Sequence, residues 1–81
     1  MKNTDMDFNY ITEPHLVLIG NSKCIIDGLR GICEYTAEKI KINLGKYAVV
    51  IVGSGLYIES FSYEGAVVEG DILSLEMSSN D

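Results

Sequence analysis

Few side chains in this chain have the chemistry of catalysis or ligation, and their spacing decides what each could do. His15 is the only histidine and directly follows Pro14. Nucleophilic or metal chemistry at a histidine needs partners converging on it, so His15 is read as the opening residue of a strand. Cys24 and Cys33 lack C-x-x-C spacing, and one histidine does not complete a common zinc set with them. A tight hairpin at Gly28-Leu29 would place the two thiols across from each other. In a reducing compartment they stay unpaired, and both are expected as buried, small apolar residues. Gly53-Ser54-Gly55 has the look of a phosphate loop's first residues, but neither G-x-G-x-x-G nor G-x-x-x-x-G-K-S/T continues and no helix pattern follows. The expectation there is a strand-to-strand turn. Glu59, Glu64, Glu69, Asp71 and Glu76 are spread over strands and turns. Glycosidase-type hydrolysis needs two acids facing each other in a cleft, and a domain this small offers little concavity. They read instead as a solvated acidic face that favours solubility. No catalytic, cofactor or metal set emerges, and the chain is expected to be no enzyme.

Aromatic and aliphatic surface is the remaining candidate for function. The chain has five tyrosines and no tryptophan. Tyr57, Phe61 and Tyr63 share strand parity, which predicts one face carrying all three. Leu73 and Leu75 lie in the last strand. These five are the candidate protein-interaction residues, since tyrosine and large apolar side chains suit interfaces.

The elements that must position them are strands. Short apolar runs are punctuated by glycine: His15–Ile19 before Gly20-Asn21, Cys24–Ile26 before Asp27-Gly28, and Ile32–Tyr35 after Gly31. In Lys39–Leu44, Ile40, Ile42 and Leu44 alternate with Lys39, Lys41 and Asn43, the period of a half-buried strand. Thr36 is placed to cap one short turn at Thr36-Ala37-Glu38. Gly45-Lys46 leads into Tyr47–Val52, which is apolar on both faces and suits a central strand. Leu56–Ser60, Phe61–Tyr63, Ala66–Glu69 and Ile72–Met77 follow, separated by Gly53-Ser54-Gly55, Glu64-Gly65 and Gly70. The pattern predicts seven or eight short, locally connected strands, an all-β meander forming a roll, small sandwich or short solenoid-like stack. An echo at an offset of 33 or 32, in which Ile19-Gly20 and Cys24–Leu29 match Val52-Gly53 and Leu56–Phe61, suggests two similar units packed face to face or successive rungs of a short solenoid.

Composition sets the outer bounds. Eighty-one residues, 47% apolar and 22% charged, make one small globular domain. Six basic against twelve acidic residues leave a net charge of −6, so neither nucleic acid nor an anionic membrane surface is an expected partner. The longest apolar run, Ala48–Val52, falls far short of the ~20 residues that span a bilayer. The start of the chain has no secretory pattern, and the expectation is a soluble intracellular protein. Residues 1–13 read as a tail, 14–77 as the β domain, and 78–81 as a second tail.

The order of the motifs is more specific than any one of them. Pro14–Asn21 is followed by Cys24-Ile25-Ile26-Asp27, Arg30-Gly31-Ile32-Cys33-Glu34-Tyr35-Thr36 and Glu38-Lys39-Ile40-Lys41-Ile42. Val50-Ile51-Val52-Gly53, Leu56-Tyr57-Ile58 and Val67–Ile72 come after. From residue 14 to 77 this resembles the YabP/YqfC family of sporulation proteins, and Arg30–Thr36 is closer to the YqfC branch. The resemblance implies a non-enzymatic factor of endospore formation, made in the mother cell and acting around the developing forespore. It transfers no catalytic residue and no cofactor. It also implies a protein partner, a membrane-associated sporulation protein of the YqfD type, through which the chain would sit at the forespore-surrounding membrane without inserting. A homo-oligomer is compatible with such a domain.

Two functions are carried forward, a structural or adaptor β-module and a small-molecule-binding β-barrel, with a carboxylate hydrolase as a weaker third. The first needs an exposed apolar patch or open strand edge, the second an interior cavity of roughly 300 Å3 or more. The expected core is Leu16, Leu18, Ile26, Ile40, Ile42, Val50, Val52, Leu56, Ile58, Val68 and Ile72. Gly20, Gly53 and Gly70 are expected at positive φ or in bulges. Pro14 predicts that the first strand lies at an edge. The last strand, guarded only by Glu76 with Asp71 at its entrance, is expected at the other edge, as a partner-binding site.

Overall fold

A computed structural model describes residues 13–80. The N-terminal tail expected over 1–13 therefore lies outside the described residues except for Glu13. Six strands form: β1 (His15–Ile19), β2 (Lys23–Asp27), β3 (Gly31–Tyr35), β4 (Lys39–Asn43), β5 (Tyr47–Phe61) and β6 (Gly65–Ser79). They make one antiparallel sheet in the order β1-β2-β6-β5-β4-β3. The all-β class stands. The count of seven or eight does not, because β5 and β6 each continue through a glycine that reads as a turn. Gly53-Ser54-Gly55 lies inside β5, where the β5–β6 ladder slips between Val52 and Gly53 and again between Ser54 and Tyr57. Gly70 lies inside β6 with φ +140°. A glycine at a bulge bends a strand without ending it.

Local connection also holds only in part. β3 to β6 form a meander, but the β1–β2 hairpin joins on the far side of β6, so β2 pairs with a strand much later in the chain. Thr36 caps a turn, though not a helical one. Its hydroxyl accepts the N–H groups of Glu38 and Lys39 at 3.2 and 2.9 Å between β3 and β4.

The pairing carries an approximate internal two-fold relation. The pair Leu16↔Ile26 in the first hairpin matches Ile32↔Ile42 in the second, each residue shifted by 16. Ile51↔Leu75 matches Val68↔Ile58 along the β5–β6 ladder with a shift of 17. The hairpin turns behave alike: Gly70 and Ile72 donate to the carbonyls of Ser22 and Asn21, while Gly53 and Leu56 donate to those of Glu38 and Ala37. The repeat therefore runs at 16–17 residues, and the echo at 33 does not describe it.

A single core draws on both halves of the sheet. Cys24, Ile26 and Val68 from one half share a cluster with Ile40, Ile42, Val49 and Ile51 from the other, all fully buried, together with Leu44, Leu56 and Ile72. Leu16 and Ile58 pack against it half-buried. On the two-sided part of β5 the expected parity is inverted. Val49 and Ile51 face the core opposite Ile42 and Ile40, while Val50 and Val52 lie opposite Lys41 and Lys39. An apolar run carries no parity of its own; β4, with lysines on one face, imposes it. Leu18 is also not core, because β1 has no neighbour beyond it.

Candidate functional site

The candidate site is a set of strand flanks, and each differs in how its backbone is protected. β3 is an edge strand. Its ladder slips between Ile32 and Glu34, making Cys33 the extra residue of a bulge, and Glu34 pairs with Lys39 at 3.4 Å. A bulge and a charge are two standard defences of an edge. The C-terminal part of β5 is defended differently. The Ile58 N–H donates to the Tyr35 hydroxyl at 2.9 Å, beside the turn that takes the N–H groups of Gly53 and Leu56.

Two flanks lack such cover among the described residues. β1, at the other edge as Pro14 predicts, has no charged residue in His-Leu-Val-Leu-Ile, and Val17, Leu18 and Ile19 are 51, 48 and 48% exposed. β6 is not an edge strand, which corrects the expectation for the C-terminal strand: β2 covers one side and β5 the other. Yet β2 reaches only from Gly65 to Glu69. From Leu73 to Ser78 only β5 runs beside β6, with Glu76 as the one charge. The flank is open although the strand is central.

The five residues singled out from the sequence do not form one surface. Tyr57 lies opposite Glu69 and Phe61 opposite Ala66, with a register shift between Ile58 and Ser60. That shift moves Phe61 to the face of Ala66 and Val68, away from Tyr57. Tyr63 lies beyond the end of β5, in the turn, and is 91% exposed. The expected aromatic face is thus divided by one extra residue. Leu75 packs half-buried against the core, while Leu73 is 70% exposed. Val17, Leu18 and Ile19 were not singled out; their signal is the uncharged stretch from Pro14 to Ser22.

Polar groups on the outer face tie neighbouring strands together. The Tyr57 hydroxyl donates to Glu69 at 2.6 Å, and Lys23 reaches the same carboxylate at 3.4 Å. The Tyr57 hydrogen bond, with Lys23 behind it, holds the Glu69 carboxyl below its ordinary range and raises the Tyr57 phenol. Cys24 is buried and its thiol is pushed up to about 11 by desolvation, whereas Cys33 is exposed on the β3 bulge. The expectation of two buried cysteines is corrected for Cys33. Nor do the two lie across a hairpin, since β6, β5 and β4 separate β2 from β3. Among the described residues, no three His, Cys, Asp or Glu side chains gather as a metal set. A cleft of about 360 Å3 opens beside the β4–β5 turn, lined by Glu13, Pro14, Arg30, Leu44, Gly45, Lys46 and Tyr47. No helix of the described residues is long and apolar enough to cross a membrane.

Comparison with known proteins gives one match. The model of a family described as the YabP family matches residues 12–81, which takes in every strand. No curated protein and no solved structure matches the chain.

Proposed function

Since the chain belongs to the YabP family, we propose that it is a sporulation-associated factor, of the YqfC branch, that works by binding protein and not by catalysis. The observation that carries this reading is the open flank of β6. Leu73–Ser78 has a strand on one side only, and Leu73 projects from it largely exposed. A partner strand laid there would take up unpaired backbone groups, and Leu73 and Met77 would serve as apolar anchors. Strand addition needs no catalytic constellation. The partner proposed is a membrane-associated protein of the YqfD type, which would hold the chain at the membrane around the forespore, on its mother-cell side. The net charge of −6 favours a protein partner over direct adsorption to anionic lipid.

The test is Leu73→Asp, at a position exposed enough to leave the core alone. After circular dichroism shows an unchanged fold, the variant is scored for heat-resistant spores and for capture of the YqfD-type protein. A loss of at least about tenfold in affinity is expected, as for an anchor residue replaced by a charge, with a matching fall in spores. A folded variant that keeps both full spore yield and full capture would remove this flank from the function.

A further inference from the structure

We infer that β1 is a self-association edge, and that two copies of the chain pair β1 against β1 in antiparallel fashion about Val17. The first ground is the difference between the edges. β3 carries a bulge and the Glu34–Lys39 pair, the late part of β5 is capped by Tyr35, and the open flank of β6 carries Glu76. Within His15–Ile19, β1 carries none of these, with only Pro14 at its entrance, and an apolar edge is a template for another strand.

The second ground is complementarity. With Val17 on the two-fold axis, Leu16 faces Leu18 of the second copy and His15 faces Ile19 of the second copy. No like charges meet, although each chain carries −6. Pro14, which has no N–H, and Gly20, at φ +55°, end the ladder at the same level. Self-pairing of the β6 flank about Glu76 would instead oppose two carboxylates.

The third ground is what the pairing continues on both faces of the sheet. Within one chain, Val17, Ile25 and Val67 lie side by side across β1, β2 and β6. The pairing extends this row through Val17, Ile25 and Val67 of the second copy as one apolar stripe. On the core side, Leu18 continues the row of Val68 and Cys24 but is 48% exposed. Leu16 of the second copy would cover it. The neighbouring rows run from Asp27 and His15 of one chain to Ile19 and Lys23 of the other, where Lys23 already pairs with Glu69, so no like charges are brought together.

Such a contact uses the same surface on both copies, so it closes as a dimer. A five-residue ladder is at the small end of interface sizes, so the association is reversible and not obligate.

The test is the mass of the full chain by sedimentation over a concentration series reaching well above micromolar. The wild type is expected to approach twice the chain mass. Val17→Glu and Val17→Lys, each with an unchanged circular dichroism spectrum, are expected to stay monomeric alone and to dimerise when mixed. Leu73→Asp is expected to dimerise like the wild type, which separates this contact from the proposed partner flank. A monomeric wild type overturns the inference, since the edge is then left to another occupant, the N-terminal segment or a different protein. A dimer that survives both Val17 variants, or that Leu73→Asp dissociates, overturns it equally.

Discussion

Cys24 and Cys33 are the same residue type in the same half of the chain, yet their surroundings give them opposite behaviour. Cys24 faces Val68 inside the core, and Cys33 is the extra residue of an edge bulge. A thiol reacts as the thiolate, which burial disfavours. A thiol-specific reagent on the folded protein is therefore expected to modify Cys33 promptly and Cys24 only on unfolding. Mass spectrometry of the modified peptides checks this, and equal rates at both would contradict the assignment. The same burial sets a pH dependence. The folded Cys24 thiol is raised from 9.0 to about 11, so at intermediate pH the unfolded chain loses the proton first. Its contribution to stability is whole below pH 9 and lost as pH rises through 11. Denaturation midpoints of the wild type should fall over that window more steeply than those of Cys24→Ala.

At the level of the element, the long strands β5 and β6 depend on glycines where they bend. A Cβ at Gly70 would stand 2.7 Å from the Gly55 carbonyl oxygen and 2.8 Å from the Leu56 Cα, at a φ that L side chains avoid. Gly20 also has positive φ, but open space surrounds it. Gly70→Ala is therefore expected to cost about 2–3 kcal/mol, from backbone strain and displacement of β5 together. Gly20→Ala should cost only about 1 kcal/mol, the conformational part alone. Equilibrium denaturation of both variants measures the difference. Equal losses would mean that β5 does not crowd Gly70.

For the whole molecule, one cluster takes side chains from both hairpins and both long strands. A small domain with a single core unfolds as one unit. Ile42 is fully buried between Ile32 on β3 and Val49 on β5. Ile42→Ala is expected to cost ~2–5 kcal/mol, the range for truncating a buried isoleucine. The loss should appear at the same denaturant concentration whether followed by tyrosine fluorescence or by circular dichroism. Separate transitions would show that the two halves fold independently.

The sequence by itself determined what is local. The alternation of isoleucine and lysine in β4 set its buried face, because a strand's side chains alternate between faces. Glycine spacing set the hairpin turns at Gly20, Gly45 and Gly65, and Pro14 marked β1 as an edge. The motif order carried the family across the whole domain. The tertiary structure alone decided whatever depends on pairing between distant segments. Whether Gly53 and Gly70 end a strand or bend it depends on the strand across the ladder. The inner face of Tyr47–Val52 was decided by β4, and the separation of Tyr57 from Phe61 by one extra residue in the β5–β6 register. β6 became a central strand with an open flank because its pairing with β2 ends at Lys23 opposite Glu69. That endpoint is a fact of register between segments some forty residues apart, and no local pattern encodes it.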